Sequence, residues 1–129
     1  MKVMTLETKT QTHGRIKMEN KIYLAGPMTG KPGLNWDAFF LTEGYLEDQG
    51  WVVVNPARLD AEQGIDPDRA MSEYDYTACA YRDMIALLDC NAIYLMVDWQ
   101  HSKGACWERA LAKHNKIRRF YAIPRPEDI

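Results

Sequence analysis

The sequence predicts an α/β fold, namely a doubly wound, flavodoxin-like or Rossmann-like parallel sheet of four to five strands in the order 2-1-3-4, with helices on both faces. From Lys21 onward, short apolar segments alternate with longer segments of helical periodicity. Clusters of glycine and proline separate them. A β-α-β-α-β-α-β order with right-handed crossovers gives this sheet, and its ligand crevice lies at the carboxyl ends of strands one and three.

Composition limits the function classes. The chain has 129 residues, 47% of them hydrophobic, which predicts a single domain over residues 21–129. A net charge of −2 provides no basic field for duplex nucleic acid. The absence of a long apolar run or signal-peptide core predicts a protein that is neither membrane-spanning nor secreted, with no membrane partner. The chain has three cysteines without metal-ligand spacing, Cys79, Cys90 and Cys106. They indicate reduced thiols in a cytoplasmic protein.

The first strand follows a polar segment. Residues 1–20 predict a flexible arm, with at most one edge strand near Lys2–Leu6. Lys21–Ala25 is a short apolar strand that leads into a turn cluster, Gly26–Gly33. Such a loop can hold phosphate or sugar oxygens through its backbone N–H groups, or it is an ordinary connection between strand and helix.

The next helix and strand have clear boundaries. Asn35 is a suitable N-cap for a helix from Trp36 to about Gln49, and Gly50 follows at the C′ position. Trp51–Asn55 is apolar throughout, which predicts a strand covered on both faces. Ala57–Ala70 then predicts a long loop, either a lid over the crevice or a surface excursion.

The second predicted helix carries a carboxylate on its apolar face. Ser72 can cap a helix from Glu73 to about Asp89. Asp83 lies among residues suited to burial, where an unpaired carboxylate is costly. It is therefore either a functional group or a partner of Arg82 or Arg118 at the margin of the core.

The third strand and its helix form the predicted centre of the protein. Ala92–Val97 predicts a buried strand, and Ile117–Ile123 a final one. Between them a polar loop, Asp98–Lys103, leads to a helix that begins near Ser102. Glu108 lies about six residues into this helix on its small, apolar face. It is either a functional carboxylate or half of a buried pair with an arginine.

Parallel topology brings three segments to one crevice. They are Tyr23–Gly30, Asp83 and Ser102–Glu108. Two carboxylates beside a glycine loop and an anion-binding helix end indicate chemistry on a phosphorylated or sugar-bearing small molecule. Glycosyl transfer through an oxocarbenium-like state uses such a pair, one carboxylate as nucleophile and one as proton carrier.

These residues carry a resemblance to a known group of enzymes. Ile22–Gly30 (IYLAGPMTG), a downstream aspartate and the helix motif Ser-x-Gly-x-x-x-Glu at Ser102–Glu108 resemble the nucleoside 2-deoxyribosyltransferase superfamily, which includes nucleoside 5′-monophosphate N-glycosidases. More narrowly, the chain resembles the uncharacterised DUF4406 branch of small bacterial and phage proteins. The resemblance covers nearly all of residues 21–123.

The resemblance implies a role for each matching residue. Glu108 would attack the anomeric carbon and form a covalent glycosyl intermediate, Tyr23 would orient Glu108, and Asp83 would help to protonate the base. Neither a metal nor an organic cofactor is implied, and a homodimer or larger homo-oligomer is expected. The resemblance also implies that four residues hold the sugar or its 5′ end: Gly26, Thr29, Gly30 and Ser102. Asp98 and Gly104 are added as predicted substrate-binding residues because they lie at the crevice.

Departures from the motifs bear on the subclass. Ser102 stands where the transferases carry a carboxylate, and it resembles the phosphate-binding serine of the hydrolases. The arginine of the hydrolases' glycine loop is replaced by Thr29, so that Lys31 or Lys103 would supply the positive charge. Ala110 replaces a glycine of the motif. We therefore expect an N-glycosidase acting on a (deoxy)nucleoside 5′-monophosphate.

Other functions fit the same residues. A nucleoside 2-deoxyribosyltransferase and a non-catalytic nucleotide-binding module are the main alternatives. Trp99 and His101, in the loop before the last helix, would stack on or hydrogen-bond the base, or else serve only in interface packing. A partner-binding protein that uses this aromatic loop is a third alternative.

Overall fold

The computed structural model describes residues 20–128 and contains a four-stranded parallel sheet. Its order is 2-1-3-4, and each neighbouring pair is parallel. The predicted fold class is confirmed, whereas residues 1–19, with most of the predicted arm and its edge strand, lie outside the described range. The strands are β1 (Lys21–Ala25), β2 (Val52–Val54), β3 (Ala92–Leu95) and β4 (Arg118–Tyr121).

Four α-helices connect and cover the strands of this described range. None of them is long and apolar enough to cross a bilayer. Short 3-10 turns occur at Pro32–Asn35, Trp99–His101 and Pro126–Asp128. The α-helices are α1 (Trp36–Glu47), α2 (Pro56–Glu62), α3 (Glu73–Leu88) and α4 (Lys103–His114).

The alternation of side chains along β1 explains why helices lie on both faces of the sheet. Successive side chains of a strand point to opposite faces. Tyr23 and Ala25 pack in one apolar cluster with residues of α3 and α4, whereas Ile22 and Leu24 pack in a second cluster with residues of α1 and α2. The central strand is thus shared by two cores.

The predicted helix caps are right at two positions and wrong at one. The hydroxyls of Ser72 and Ser102 each accept a hydrogen bond at 3.1 Å from the backbone N–H three residues further on. Asn35 does precede α1, but it has a left-handed φ of 60° and makes no capping bond. Its amide instead donates to the carbonyl of Pro27 at 2.9 Å, which holds the glycine loop against the start of α1.

The segment predicted as a loop over residues 57–70 begins with a helix. Asn55 caps α2 by accepting from the N–H of Ala57 at 2.9 Å, and Pro56 occupies the first helical turn. Proline suits that position because its missing N–H would have no helical partner there. The helix buries Asp60, which a surface loop would have left in solvent.

The prediction that the second strand is covered on both faces is wrong for Val52, which is exposed. β2 is an edge strand with a neighbour on one side only. The helices α3 and α4 contact the other strands instead, α3 against β1 and α4 against β1, β3 and β4.

Candidate active site

A cavity of about 880 Å³ lies where the glycine loop after β1 meets α3 and the first turns of α4. Its volume is in the range typical of small-molecule sites, about 300–1,000 Å³. The topology therefore brings together segments that are far apart in the sequence, as expected at the carboxyl edge of a parallel sheet. Six of the predicted site residues line it: Gly26, Thr29, Asp83, Ser102, Gly104 and Glu108.

The other three predicted residues, Tyr23, Gly30 and Asp98, are not among the lining residues. Tyr23 lies in the core, and Gly30 and Asp98 lie in loops. Both have a left-handed backbone, with φ of 85° at Gly30 and 66° at Asp98. Gly30 therefore shapes the loop that carries Thr29. Asp98 is exposed, and its carbonyl accepts from the N–H of His101 at 3.0 Å in the turn before α4.

Gly26 is required by a close approach of the chain. A Cβ atom at this position would lie 3.0 Å from both the Cβ and the Sδ of Met96. The loop can pass this close to the end of β3 only because the residue has no side chain.

Glu108 is held by a buried tyrosine. The Tyr23 hydroxyl donates to Oε2 of Glu108 at 2.6 Å, across the interface between β1 and α4. Tyr23 is fully buried, and its ring belongs to the core between the sheet and the two helices. A fixed donor of this kind orients the carboxyl group and stabilises its charged form. The hydrogen bond expected between the two residues is present.

The environment of Glu108 favours its protonated form. Burial raises the pKa of Glu108 from an ordinary value of 4.5 to about 8 because it disfavours the charged carboxylate. The Tyr23 hydrogen bond lowers this pKa, and the negative charge of Asp83 raises it further. A carboxyl group titrating near neutral pH inside a cavity is typical of a functional site.

Asp83 is paired with the arginine that precedes it. Both Nε and Nη2 of Arg82 donate to Oδ1 of Asp83, at 3.0 and 2.6 Å. Nη2 also donates to Oδ1 of Asp60 at 2.6 Å. Asp83 thus has the predicted arginine partner and also lines the cavity, so the two interpretations are compatible.

The cluster of Asp60, Arg82 and Asp83 sets the charge of this wall. Burial raises the pKa of Asp83 from an ordinary 3.8 to about 6, Arg82 opposes that rise, and the charge of Asp60 adds to it. Asp60 is 3% exposed and lines the cavity from α2. One cation between two buried carboxylates leaves the wall negatively charged when both carboxylates are ionised.

The first turn of α4 offers backbone donors to the cavity. Ser102 caps the helix, and Lys103 and Gly104 also line the cavity. The N–H groups of a first turn lack helical partners and favour anions. Of the two lysines considered as substitutes for an arginine, Lys103 borders the cavity and Lys31 is not among its lining residues.

The predicted base-stacking role of Trp99 is wrong. Trp99 is 6% exposed and belongs to the core on the α4 side of the sheet. The guanidinium groups of Arg109 and Arg125 lie over its ring, with their central carbons 5.1 and 5.3 Å from its centroid. The packing of Trp99 in the core therefore fixes the turn before α4. His101 of the same turn is exposed and does line the cavity.

Several lining residues were not predicted from the sequence. Asp60 gave no signal because its segment has the composition of a loop. Tyr76 and Trp107 share helices with Asp83 and Glu108, and their position in the helices was the available signal. Within residues 20–128, no three histidine, cysteine, aspartate or glutamate side chains are grouped so that they could hold a metal ion. Three methionines also line the cavity, one from the glycine loop, one from the segment before α3 and one from α3 itself: Met28, Met71 and Met84.

The fold and site define an α/β protein with a carboxylate-lined cavity at the switch point of its sheet. The family model of the domain of unknown function DUF4406 matches residues 20–121, which is most of the chain. The protein therefore belongs to the DUF4406 family. A comparison with curated proteins found no match.

Proposed function

We propose that this protein is an N-glycosidase that cleaves the bond between base and sugar in a (deoxy)nucleoside 5′-monophosphate. The proposal includes membership of the nucleoside 2-deoxyribosyltransferase superfamily. The observation that carries it is the position of Glu108, which receives a 2.6 Å hydrogen bond from buried Tyr23 and faces the same cavity as Asp83. Retaining glycosidases require such a nucleophile and a separate proton carrier.

In the first step, a carboxylate oxygen of Glu108 attacks the anomeric carbon of the sugar. The bond between that carbon and the base nitrogen breaks, and its electron pair stays with the base. Asp83 supplies the proton that neutralises the departing base. Tyr23 keeps one oxygen of Glu108 engaged, so that the other oxygen would make the attack.

In the second step, water attacks the same anomeric carbon from the face opposite its bond to Glu108. The bond between the sugar and Glu108 breaks, and Glu108 returns as a carboxylate. Asp83, now ionised, accepts the proton that the water loses. Sugar 5-phosphate and free base are the products, and both carboxyl groups regain their initial states.

The reaction requires a single proton shared by the two carboxyl groups. With a pKa of about 8 for Glu108 and about 6 for Asp83, the pair holds one proton between these values. That proton rests mainly on Glu108, whereas the reactive form carries it on Asp83. Positive charge that develops on the sugar stabilises an ionised Glu108 and so favours the reactive form.

The α4 end of the cavity supports a phosphorylated substrate. Ser102, Lys103 and Gly104 line the cavity there, at the N-terminal end of α4. A 5′-phosphate would accept hydrogen bonds from these donors. A carboxylate in place of Ser102 would repel it, which is why the hydrolase is preferred to a transferase that acts on unphosphorylated nucleosides.

Base release tests this function. Purified wild-type protein is incubated with a panel of nucleosides and 5′-monophosphates, and free base is measured by chromatography. We expect release from monophosphates that is lost in Glu108→Gln and retained in Glu47→Gln, which alters an exposed carboxylate on α1 away from the cavity. Sugar transfer to an added base would indicate the transferase instead.

Ligand binding separates catalysis from simple recognition. If no base is released but monophosphates still raise the melting temperature, the protein is a nucleotide-binding module. If neither release nor stabilisation occurs with any member of the panel, the proposed function is wrong.

A further inference from the structure

Two exposed aromatic side chains stand at the rim of the cavity. Tyr76 on α3 is 48% exposed and Trp107 on α4 is 58% exposed, yet both belong to its lining. They lie where the cavity opens to solvent, one on each helix. Large exposed rings that border a small-molecule cavity are typical of a ligand contact.

The spacing along α3 leaves room for a flat ring beside Asp83. Tyr76 precedes Asp83 by seven residues, which is two helical turns on the same face, or about 10 Å along the axis. The residues between them that line the cavity are small, Cys79 and Ala80. A planar group next to Asp83 would therefore extend over small side chains toward the Tyr76 ring.

Trp107 lies next to the second carboxyl group in the sequence. It directly precedes Glu108 in α4, so its indole is at the rim while the Glu108 carboxyl is inside. Met71 and Met84 line the cavity on the α3 side. Thioether groups pack favourably against aromatic rings, and their flexibility accommodates rings of different size.

We infer that Tyr76 and Trp107 form a stacking subsite for the aromatic base of the substrate, with the sugar placed between Asp83 and Glu108. This inference rests on the proposed function and names the residues that would bind its leaving group, the base. The sugar and phosphate would extend away from the rim toward Ser102. Stacking on such rings tolerates different bases because each base has a π-face.

Binding measurements in a Glu108→Gln background, which prevents turnover, test the subsite. The ligands are adenosine and cytidine 5′-monophosphates, and ribose 5-phosphate, which lacks the base. We expect Tyr76→Ala and Trp107→Ala each to weaken nucleotide binding about 10-fold, as the loss of one stacking partner would. Binding of ribose 5-phosphate should stay unchanged. Tyr81→Ala, which removes a comparably exposed ring from α3 outside the cavity, is the matched control.

Tryptophan fluorescence of the Trp107→Phe variant distinguishes stacking on Trp107 from a structural effect of its replacement. Trp107→Phe keeps an aromatic ring, so nucleotide affinity should remain within about threefold of the parent. Quenching of tryptophan fluorescence by bound nucleotide should nevertheless be lost in this variant, although three tryptophans remain of the four in the chain.

Three outcomes would overturn the inference. One is an equal loss of nucleotide and ribose 5-phosphate binding, which would indicate a damaged cavity. Another is an equal loss in Tyr81→Ala, which would indicate a general effect on α3 or on its contacts with a second copy of the chain. The third is nucleotide binding that is absent, or unchanged by both alanine variants. Selective loss without base release by the wild-type protein would retain the subsite and refute only the proposed catalysis.

Discussion

Replacing Glu108 by glutamine should stabilise the protein, and increasingly so as the pH rises. The pKa of Glu108 is about 8 in the fold, against an ordinary value of 4.5, so the folded state binds a proton that the unfolded state has lost. Stability from this group is complete below about pH 4.5 and is lost as the pH rises through about 8. Glutamine is neutral at every pH and retains an oxygen that can accept from Tyr23.

The pKa shift of Glu108 determines how much the substitution should raise the free energy of unfolding. Each pKa unit corresponds to about 1.4 kcal/mol, so the whole shift amounts to about 5 kcal/mol. Water that enters the open cavity when Glu108 ionises reduces this energy. We therefore expect the free energy of unfolding of Glu108→Gln, relative to wild type, to rise by about 2–5 kcal/mol between about pH 5 and about pH 9. For a domain of this size, that is roughly 5–15 °C in melting temperature.

Denaturant unfolding at several pH values measures this difference. Subtracting the wild-type free energy of unfolding from that of the variant removes contributions shared by both proteins. Glu47→Gln, on an exposed carboxylate, provides the control. A difference that does not change with pH, or a variant less stable than the wild type at about pH 9, would refute the conclusion that burial keeps Glu108 protonated.

Further predictions concern the shared proton and its neighbours. The pH profile of kcat/KM for base release should be bell-shaped, with limbs near pH 6 and 8 from Asp83 and Glu108; a profile that is flat across this range would contradict the shared proton. Tyr23→Phe removes the donor to Glu108, so kcat/KM should fall roughly 10- to 100-fold and the alkaline limb should move upward. Asp60→Asn removes a negative charge that raises the pKa of Asp83, so the acidic limb should move downward. Arg82→Gln leaves two carboxylates without their cation and should reduce the free energy of unfolding by about 3–5 kcal/mol at neutral pH.

The central elements of the fold were predictable because their local signals agree with their tertiary environment. β1 was predicted with its observed bounds, Lys21–Ala25, and the hydroxyls of Ser72 and Ser102 form the expected caps. The pairing of Tyr23 with Glu108 followed from the resemblance, and their hydrogen bond is present. Such agreement between local sequence and global fold is usual for core elements.

The errors arose where tertiary contacts override composition. α2 was missed because Gly64 and Pro67 gave its segment the composition of a loop, yet Asn55 caps it and Glu43 of α1 accepts from Arg58 at 2.7 Å. Trp99 was expected to contact a base or a partner because it lies in the predicted polar loop, but the turn directs it into the core. Trp107 was overlooked because periodicity cannot distinguish an exposed helix position from the rim of a cavity.

Trapping the covalent intermediate tests the central claim about Glu108 most directly. A 2-fluoro-2-deoxy nucleoside 5′-monophosphate destabilises the oxocarbenium-like state and slows hydrolysis of the glycosyl-enzyme. We expect intact-protein mass spectrometry to show an added fluorinated sugar phosphate, localised by peptide mapping to Glu108 and missing in Glu108→Gln. Base release that continues in Glu108→Gln without any adduct in the wild-type protein would contradict the role of Glu108 as the nucleophile.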